Sequence, residues 1–398
     1  MTAKRYLVSG LGISNGGVGR LMKVLVPEAE ARGYEIITLR ASKSLRGFLE
    51  AGDIKGLFGE SFGRLFGELL FSVRLLLIRR SDVVFIHPQA AGFNRLVRLA
   101  RNNDVYFYVM DNSFFCIRSY NIDPLTESEC LRCLRAPDAA LAQCQPFPFA
   151  LGRSKNIDLL NRLQKVAPKI RFLAQNAGQA DLIRRHFGLD VKIDLVGLDT
   201  QELKGDSNFS HIPVFQGEKW DGVYHGAVHL AKGIRFFIEL AANLPEYSFL
   251  VPANKKDCEI VLGQSIGLTN ITFRLCTWET GLKEAVQNSK IVFNPSLWSA
   301  PIEGALIKSM YFGNLIATVA TEFGYEREAS ENCERVIRLP RDPLYAAEVV
   351  RLKLTHYATP SNERSMSLSR VESLFSVVED SRYAGHFSNK VVKNKQEA

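Results

Sequence analysis

Three short stretches of the chain combine residue types that suit a phosphate-bearing ligand. The first is Ser9-Gly10-Leu11-Gly12-Ile13-Ser14-Asn15-Gly16-Gly17-Val18-Gly19-Arg20, directly after an apolar run. Glycines there let the backbone approach a diphosphate, and a helix N-terminus beyond them favours its charge. Simple turn geometry would ask for the same glycines. It is not a dinucleotide fingerprint, because Asn15 stands where a third glycine belongs. The second strand also ends in Arg40 rather than in an acid that would hold a ribose. The second stretch is Gly226-Ala227-Val228-His229-Leu230-Ala231-Lys232-Gly233, where a lysine at a strand-to-helix junction can meet a phosphate. An ordinary surface lysine would read the same way. The third runs from Asn294 to Gly313 and holds Ile302, Glu303, Gly304 and Lys308. Ser299 and Pro301 suit the start of a helix and Gly313 its stop. Glu303 falls in its first turn, where a carboxylate complements the helix dipole with or without a ligand.

These stretches need a frame to bring them together. Continuous apolar runs predict buried parallel strands at RYLVSG, EIITL (35–39), DVVFIH (82–87), VYFYVM (105–110), IRFLA (170–174) and VKIDLVG (191–197). Helical patterns fall between them, at 17–32 and 177–187 among others. A second set follows: GVYHG (222–226), YSFLV (247–251), ITFRL (271–275), IVFNPS (291–296) and LIATVA (315–320). Helices fit at 232–243, 256–264, 281–289 and 303–312. Alternation of this kind predicts an α/β protein with two doubly wound, Rossmann-like domains facing a central cleft. We divide the chain into an N-terminal domain (1–197), a polar linker (198–220), a C-terminal domain (221–361), and a short helix with a basic tail (362–398).

A chain of 398 residues exceeds what one core usually serves, in keeping with two domains. Hydrophobic residues at 46% and charged residues at 23% are ordinary for a globular protein. The net charge of +8 admits nucleic acid, anionic lipid or a phosphorylated substrate as partner. No nucleic-acid-binding module is present to support the first. No secretory start and no membrane-spanning run is evident, so a cytoplasmic location is expected. Residues 56–80 repeat large apolar side chains at helical spacing, with Arg79 and Arg80 at the end. A core-facing helix and a helix lying on a membrane surface both fit this pattern. Four of the seven cysteines, Cys116, Cys130, Cys133 and Cys144, cluster in sequence. They are compatible with reduced buried thiols or with a structural zinc ion, although the spacing matches no standard finger.

Taken in order and at these distances, the three stretches resemble glycosyltransferase family 4 over residues of about 4 to 330. Gly226–Gly233 resembles that family's Gly-Arg-Leu-x3-Lys-Gly motif, and Pro295–Gly313 its Pro-Ser-x-x-Glu-x7-Glu-Ala-Met-x-x-Gly motif. Val196-Gly197-Leu198-Asp199 resembles the Gly-Val-Asp element, and Gly324 with Glu326 the Gly-x-Glu that follows. Gly16, Gly17, Gly19 and Arg20 resemble the N-terminal glycine loop. Asp111 with Cys116 and Cys130/Cys133 resembles a His-Asp…Cys…CxxC variant. This resemblance implies a GT-B fold and metal-independent, retaining transfer of a sugar from a nucleotide-sugar donor to a glycan or lipid-linked acceptor. The membrane-surface reading of residues 56–80 would suit a lipid-linked acceptor. By the resemblance, Gly226, Lys232, Ile302, Gly304 and Lys308 would face the donor, with Glu303 and Asp111 as catalytic candidates. No cofactor is implied. The sequence also departs from the pattern. Ala227 replaces a phosphate-facing arginine, and Met110 replaces the histidine of the His-Asp pair. Ala300 and Lys308 occupy the two glutamate positions. Glu303, one helical turn from Ala300, is expected to take over the first glutamate's role. Lys308 cannot accept hydrogen bonds from a ribose, because an ammonium only donates. It points instead to a donor carrying an added carboxylate or phosphate, or to a binder that has lost activity.

Overall fold

The computed structural model describes residues 3–14, 17–39, 48–49, 51–147, 152–198, 220–356 and 374–380. Asn15, Gly16, Arg40, residues 199–219 of the linker (Asp199 among them) and most of the C-terminal tail lie outside the described residues. Two all-parallel six-stranded sheets organise the chain. The first contains β1 (Arg5–Ser9), β2 (Glu35–Thr38), β3 (Asp82–Ile86), β4 (Asp104–Tyr108), β5 (Ile170–Ala174) and β6 (Lys192–Leu195). Its spatial order is β2-β1-β3-β4-β5-β6. The second contains β7 (Gly222–Tyr224), β8 (Phe249–Val251), β9 (Ile271–Phe273), β10 (Ile291–Asn294), β11 (Leu315–Val319) and β12 (Val336–Leu339). Its order is β12-β11-β10-β7-β8-β9.

The central strands form where the apolar runs were read, because helices cover both faces of each sheet there, whereas the edge strands β6 and β9 keep polar, exposed positions. β3 and β7 are buried at every position. Phe85, Phe107 and Phe172 fill one core, and Tyr224, Phe237, Phe249 and Phe293 fill the other. β12 and the helix Pro343–Thr355 extend the second domain beyond the elements anticipated from sequence. Of the expected C-terminal helix, residues 374–380 are described. Leu374, Phe375 and Val378 bury themselves in the first domain beside Tyr34, and Glu379 pairs with Arg5 and Arg32. Residues 374–380 thus pack against the N-terminal domain.

Two regions depart from the alternating plan. Residues 111–147, between β4 and the helix Arg153–Val166, form an irregular insert that reaches the other domain. Ile122 joins the second domain's core, and Glu129 accepts from Ser299 Oγ at 2.6 Å and from Glu322 N at 2.8 Å. Arg341 meets the same carboxylate at 2.6 Å, and Arg235 meets Glu127 at 3.0 Å.

The helix Ile54–Leu77 is the second exception. Of the two readings left open, the core-facing one holds for a narrow stripe only. Phe71 and Leu75 are its buried apolar residues, whereas Phe58, Phe62 and Leu65 are 71–72% exposed. Leu69, Val73, Leu76 and Leu77 continue the same outward stripe. Among the described residues, no helix is long and apolar enough to cross a membrane.

Candidate functional site

In sheets of this kind, ligands settle where the strand order reverses, beyond the carboxyl ends of the strands. Here the reversals fall between β1 and β3 and between β7 and β10. The loops leaving those strands carry the three stretches singled out in the sequence. They meet at a cavity of about 490 Å³ lined from both domains.

The C-terminal wall is built by the loops after β7 and β10, which lock together. Gly233 takes φ of +74°, and a Cβ there would lie 1.9 Å from Pro295 O, so only glycine fits. Leu297 N donates to Ala231 O at 2.9 Å. The Tyr224 hydroxyl lies 2.8 Å from Ala227 O and 3.0 Å from Lys232 O. This framework holds Lys232 against Glu303 in an ion pair. Ser296 Oγ donates to the same carboxylate at 2.6 Å. The ammonium also sits 4.9 Å from the Trp298 ring centre and 5.1 Å from that of Tyr120, which the insert supplies. Such cation–π contacts contribute about 2 kcal/mol when desolvated. Burial nonetheless pushes Lys232 down to about 7, and the Asp111 carboxylate pulls the other way.

Glu303 is the N-cap residue of the helix Gly304–Phe312 and not a member of its first turn. Its side chain makes no cap hydrogen bond, so the dipole-complementing role read from sequence is replaced by the contact with Lys232. Gly226, Ile302 and Gly304 line the cavity around this pair.

The N-terminal wall comes from the carboxyl ends of β1, β3, β4 and β5. Gly17 and Arg20 line the cavity, whereas Gly19 is buried against Ser14 and has a packing role. Asp111 accepts from Ser113 N at 2.9 Å and from Gln89 Nε2. His87, which the sequence analysis read only as the end of a strand, faces the same space. Gln175 Nε2 donates to Val109 O at 2.8 Å, which leaves its Oε1 without a partner. Among the described residues, buried His87 Nδ1, Asn294 Oδ1 and Trp298 Nε1 lack partners too, and all four residues line the cavity. An unmet buried polar atom costs about 1–3 kcal/mol. Their collection around one cavity fits a ligand rich in both donors and acceptors. A polar residue at the carboxyl end of a switch-point strand was the available signal for His87 and Asn294.

Lys308 stands apart from the cavity lining. Its ammonium lies 4.7 Å from the Trp278 ring centre, and His225 stacks on the same indole at 5.4 Å. Burial, reinforced by the Lys308 charge, pushes His225 down to about 3. Hydrogen bonds from its own backbone amide and from Thr277 hold Glu279 below the ordinary carboxylate range, with smaller help from the charges of Lys308 and Arg20.

Cys116, Cys133 and Cys144 are buried and Cys130 is half-buried, all as free thiols. Burial, with the other three thiols nearby, pushes Cys116 well above the usual thiol range. Among the described residues, no group of three or more His, Cys, Asp or Glu side chains is placed to hold a metal ion.

No family model and no curated protein matches the sequence. Solved structures do match the fold. Sucrose-phosphate synthase from Thermosynechococcus elongatus superposes with a TM-score of 0.57 at 13% identity, over 98% of this chain and 100% of that one. A UDP-forming α,α-trehalose-phosphate synthase from Burkholderia vietnamiensis gives 0.51 at 12% identity, over 90% and 92%. HepE of Anabaena, solved in complex with UDP, gives 0.51 at 12% identity, over 97% and 100%. At such identities the likeness is one of fold, and it agrees with the sheet topology: this chain has the two-domain GT-B fold.

Proposed function

We propose that the protein is a glycosyltransferase that moves a sugar from a nucleotide-sugar donor to a glycan or lipid-linked acceptor. One observation carries the reading. A buried, ion-paired lysine beside a helix N-terminus faces unmet hydrogen-bonding atoms across a cavity of about 490 Å³. The first half of that arrangement suits a diphosphate and the second a polyhydroxylated group. Neighbours in fold include one with UDP bound and two named for making sugar phosphates.

Donor binding draws the Lys232 ammonium from Glu303 to the diphosphate. As the sugar–oxygen bond breaks, negative charge develops on the leaving diphosphate. Lys232, the amides at the start of the helix Gly304–Phe312, and Arg20 meet that charge without calling for a metal ion. The freed Glu303 carboxylate orients the sugar, and Asp111 faces the acceptor. Retention of configuration is what the family resemblance implies. The outward apolar stripe of the helix Ile54–Leu77, with Arg79 and Arg80 at its end, suits a membrane surface and therefore a lipid-linked acceptor. Synthesis of a bacterial surface polysaccharide is a setting that would need such an enzyme.

Lys308 favours a second reading, in which the donor carries an added carboxylate or phosphate. A thermal-shift panel of UDP, GDP, CMP and their sugars, followed by product analysis with the stabilising donor, tests both. Stabilisation by a common nucleotide sugar with turnover supports the first. Stabilisation only by an acidic-sugar donor supports the second. Binding without turnover would leave a catalytically degenerate sugar-nucleotide binder.

A further inference from the structure

The N-terminal wall holds a residue that none of the sequence motifs assigns. His87 follows β3 with φ of +56° and ψ of +65°, a left-handed conformation that non-glycine residues rarely adopt. Such outliers persist where the surroundings impose them, and they concentrate at ligand sites. The side chain faces the cavity, and its Nδ1 is buried with no hydrogen-bond partner. The next strand, β4, pairs Ile86 with Tyr108 and then delivers Met110 and Asp111 to the same cavity. Met110 holds the place where the resembled family has a histidine. His87 emerges one strand away, on the same wall.

We infer that His87, together with Gln175, binds hydroxyl groups of the transferred sugar. This rests on the transferase reading. The chemistry separates a sugar from a phosphate at this wall. The bond from Gln175 Nε2 to Val109 O fixes the orientation of the amide, and its Oε1, which can only accept, needs a donor. An ionised phosphate offers none, whereas a sugar hydroxyl both donates and accepts. Asp111, whose carboxylate already takes hydrogen bonds from Ser113 and Gln89, lies close enough for its charge to act on both His87 and Lys232. These residues line one cavity with Lys232, so the wall is open to the group that lies beyond the phosphates. Burial keeps the imidazole below its ordinary value against the pull of Asp111, so it is neutral at neutral pH. A neutral imidazole can give one hydrogen bond and take another.

The test is His87→Gly, which removes the imidazole and suits the left-handed backbone. Calorimetric titrations compare UDP and GDP with UDP-glucose, UDP-galactose and GDP-mannose, alongside melting temperatures. We expect the wild type to bind one nucleotide sugar about tenfold more tightly than its nucleoside diphosphate. The variant should bind the nucleoside diphosphate within twofold of wild type, lose the advantage of the sugar, and melt no earlier. Gln175→Met should lose part of the same advantage. An undiminished advantage in His87→Gly overturns the inference, and so does a variant that fails to fold, since His87 would then be a packing residue. A wild type that binds nucleoside diphosphate and nucleotide sugar equally overturns the inference while sparing the transferase reading. A wild type that binds none of the panel overturns both.

Discussion

The two walls of the cleft share unmet neutral polar atoms and differ in how their charges are met. On the C-terminal wall, the charges at the proposed phosphate site neutralise each other: Lys232 pairs with Glu303, and Ser296 completes the carboxylate's shell. Among the described residues, His87 Nδ1 and Gln175 Oε1 on the N-terminal wall are buried without a hydrogen-bond partner, as Asn294 Oδ1 and Trp298 Nε1 are on the other. The contrast follows from what each would bind. A cationic phosphate site left empty would strand a buried charge, at a cost of several kcal/mol, so an internal counter-ion stands in. A hydroxyl site left empty strands only neutral dipoles, and the fold tolerates that smaller cost.

Lys232→Ala should break this contrast most severely. It removes the cation and strands Glu303, so we expect turnover to fall by about 10²–10³-fold. Steady-state rates together with circular dichroism to confirm folding check this. The same lysine gives a pH signature. With Lys232 pushed down to about 7, its ammonium is complete below that pH and lost as pH rises through it. Diphosphate binding should therefore weaken from about pH 6 to about pH 9, and binding above neutrality should take up a proton. Calorimetry in buffers of different ionisation enthalpy reads that uptake, which Lys232→Ala should abolish. The sign for folding is the reverse. The charged, buried lysine costs stability below about 7, and the cost is relieved as pH rises toward the ordinary lysine value.

Glu129→Ala tests what holds the walls together. Its side chain is 2% exposed and gathers Ser299, Arg341 and the Glu322 amide across the domain boundary. Losing it should cost about 3 kcal/mol, by analogy with breaking a buried ion pair. Chemical denaturation measures that loss, and small-angle scattering should show the domains parting. A milder effect is expected from Phe62→Ser with Leu69→Ser on the outward stripe. Sedimentation with anionic vesicles should fall about tenfold, while turnover on a soluble acceptor stays unchanged. Lys308→Glu should act least, shifting preference among donors by only a few fold, because Lys308 rests on Trp278 outside the cavity lining. Competition between neutral and acidic donor sugars reads that shift.

Much of the frame was legible in the sequence because parallel strands buried on both faces leave unbroken apolar runs. Those runs ended near the loops that matter, where Lys232 and Glu303 drew notice by residue type and Asp111 through the family resemblance. Their relations were not legible. The Lys232–Glu303 pair joins loops from two strands, and nothing local distinguishes it from a surface lysine and a helix-start glutamate. His87 was hidden because it closes an apolar run and looks like strand. The insert's crossing was equally silent, since Asn121 and Ser299 meet 178 positions apart through side-chain bonds that leave no periodicity. For residues 54–77, the helical repeat was visible but not which way it faced. Periodicity gives the width of an apolar stripe, and only packing decides whether it turns inward.

The most direct test of the account is calorimetric titration of the wild type and Lys232→Ala with UDP, GDP and their sugars at about pH 6.5, where the lysine is mostly charged. The account predicts saturable binding of one nucleotide sugar by the wild type, lost in the variant although it remains folded. Equal binding by both proteins, or binding by neither, would contradict it.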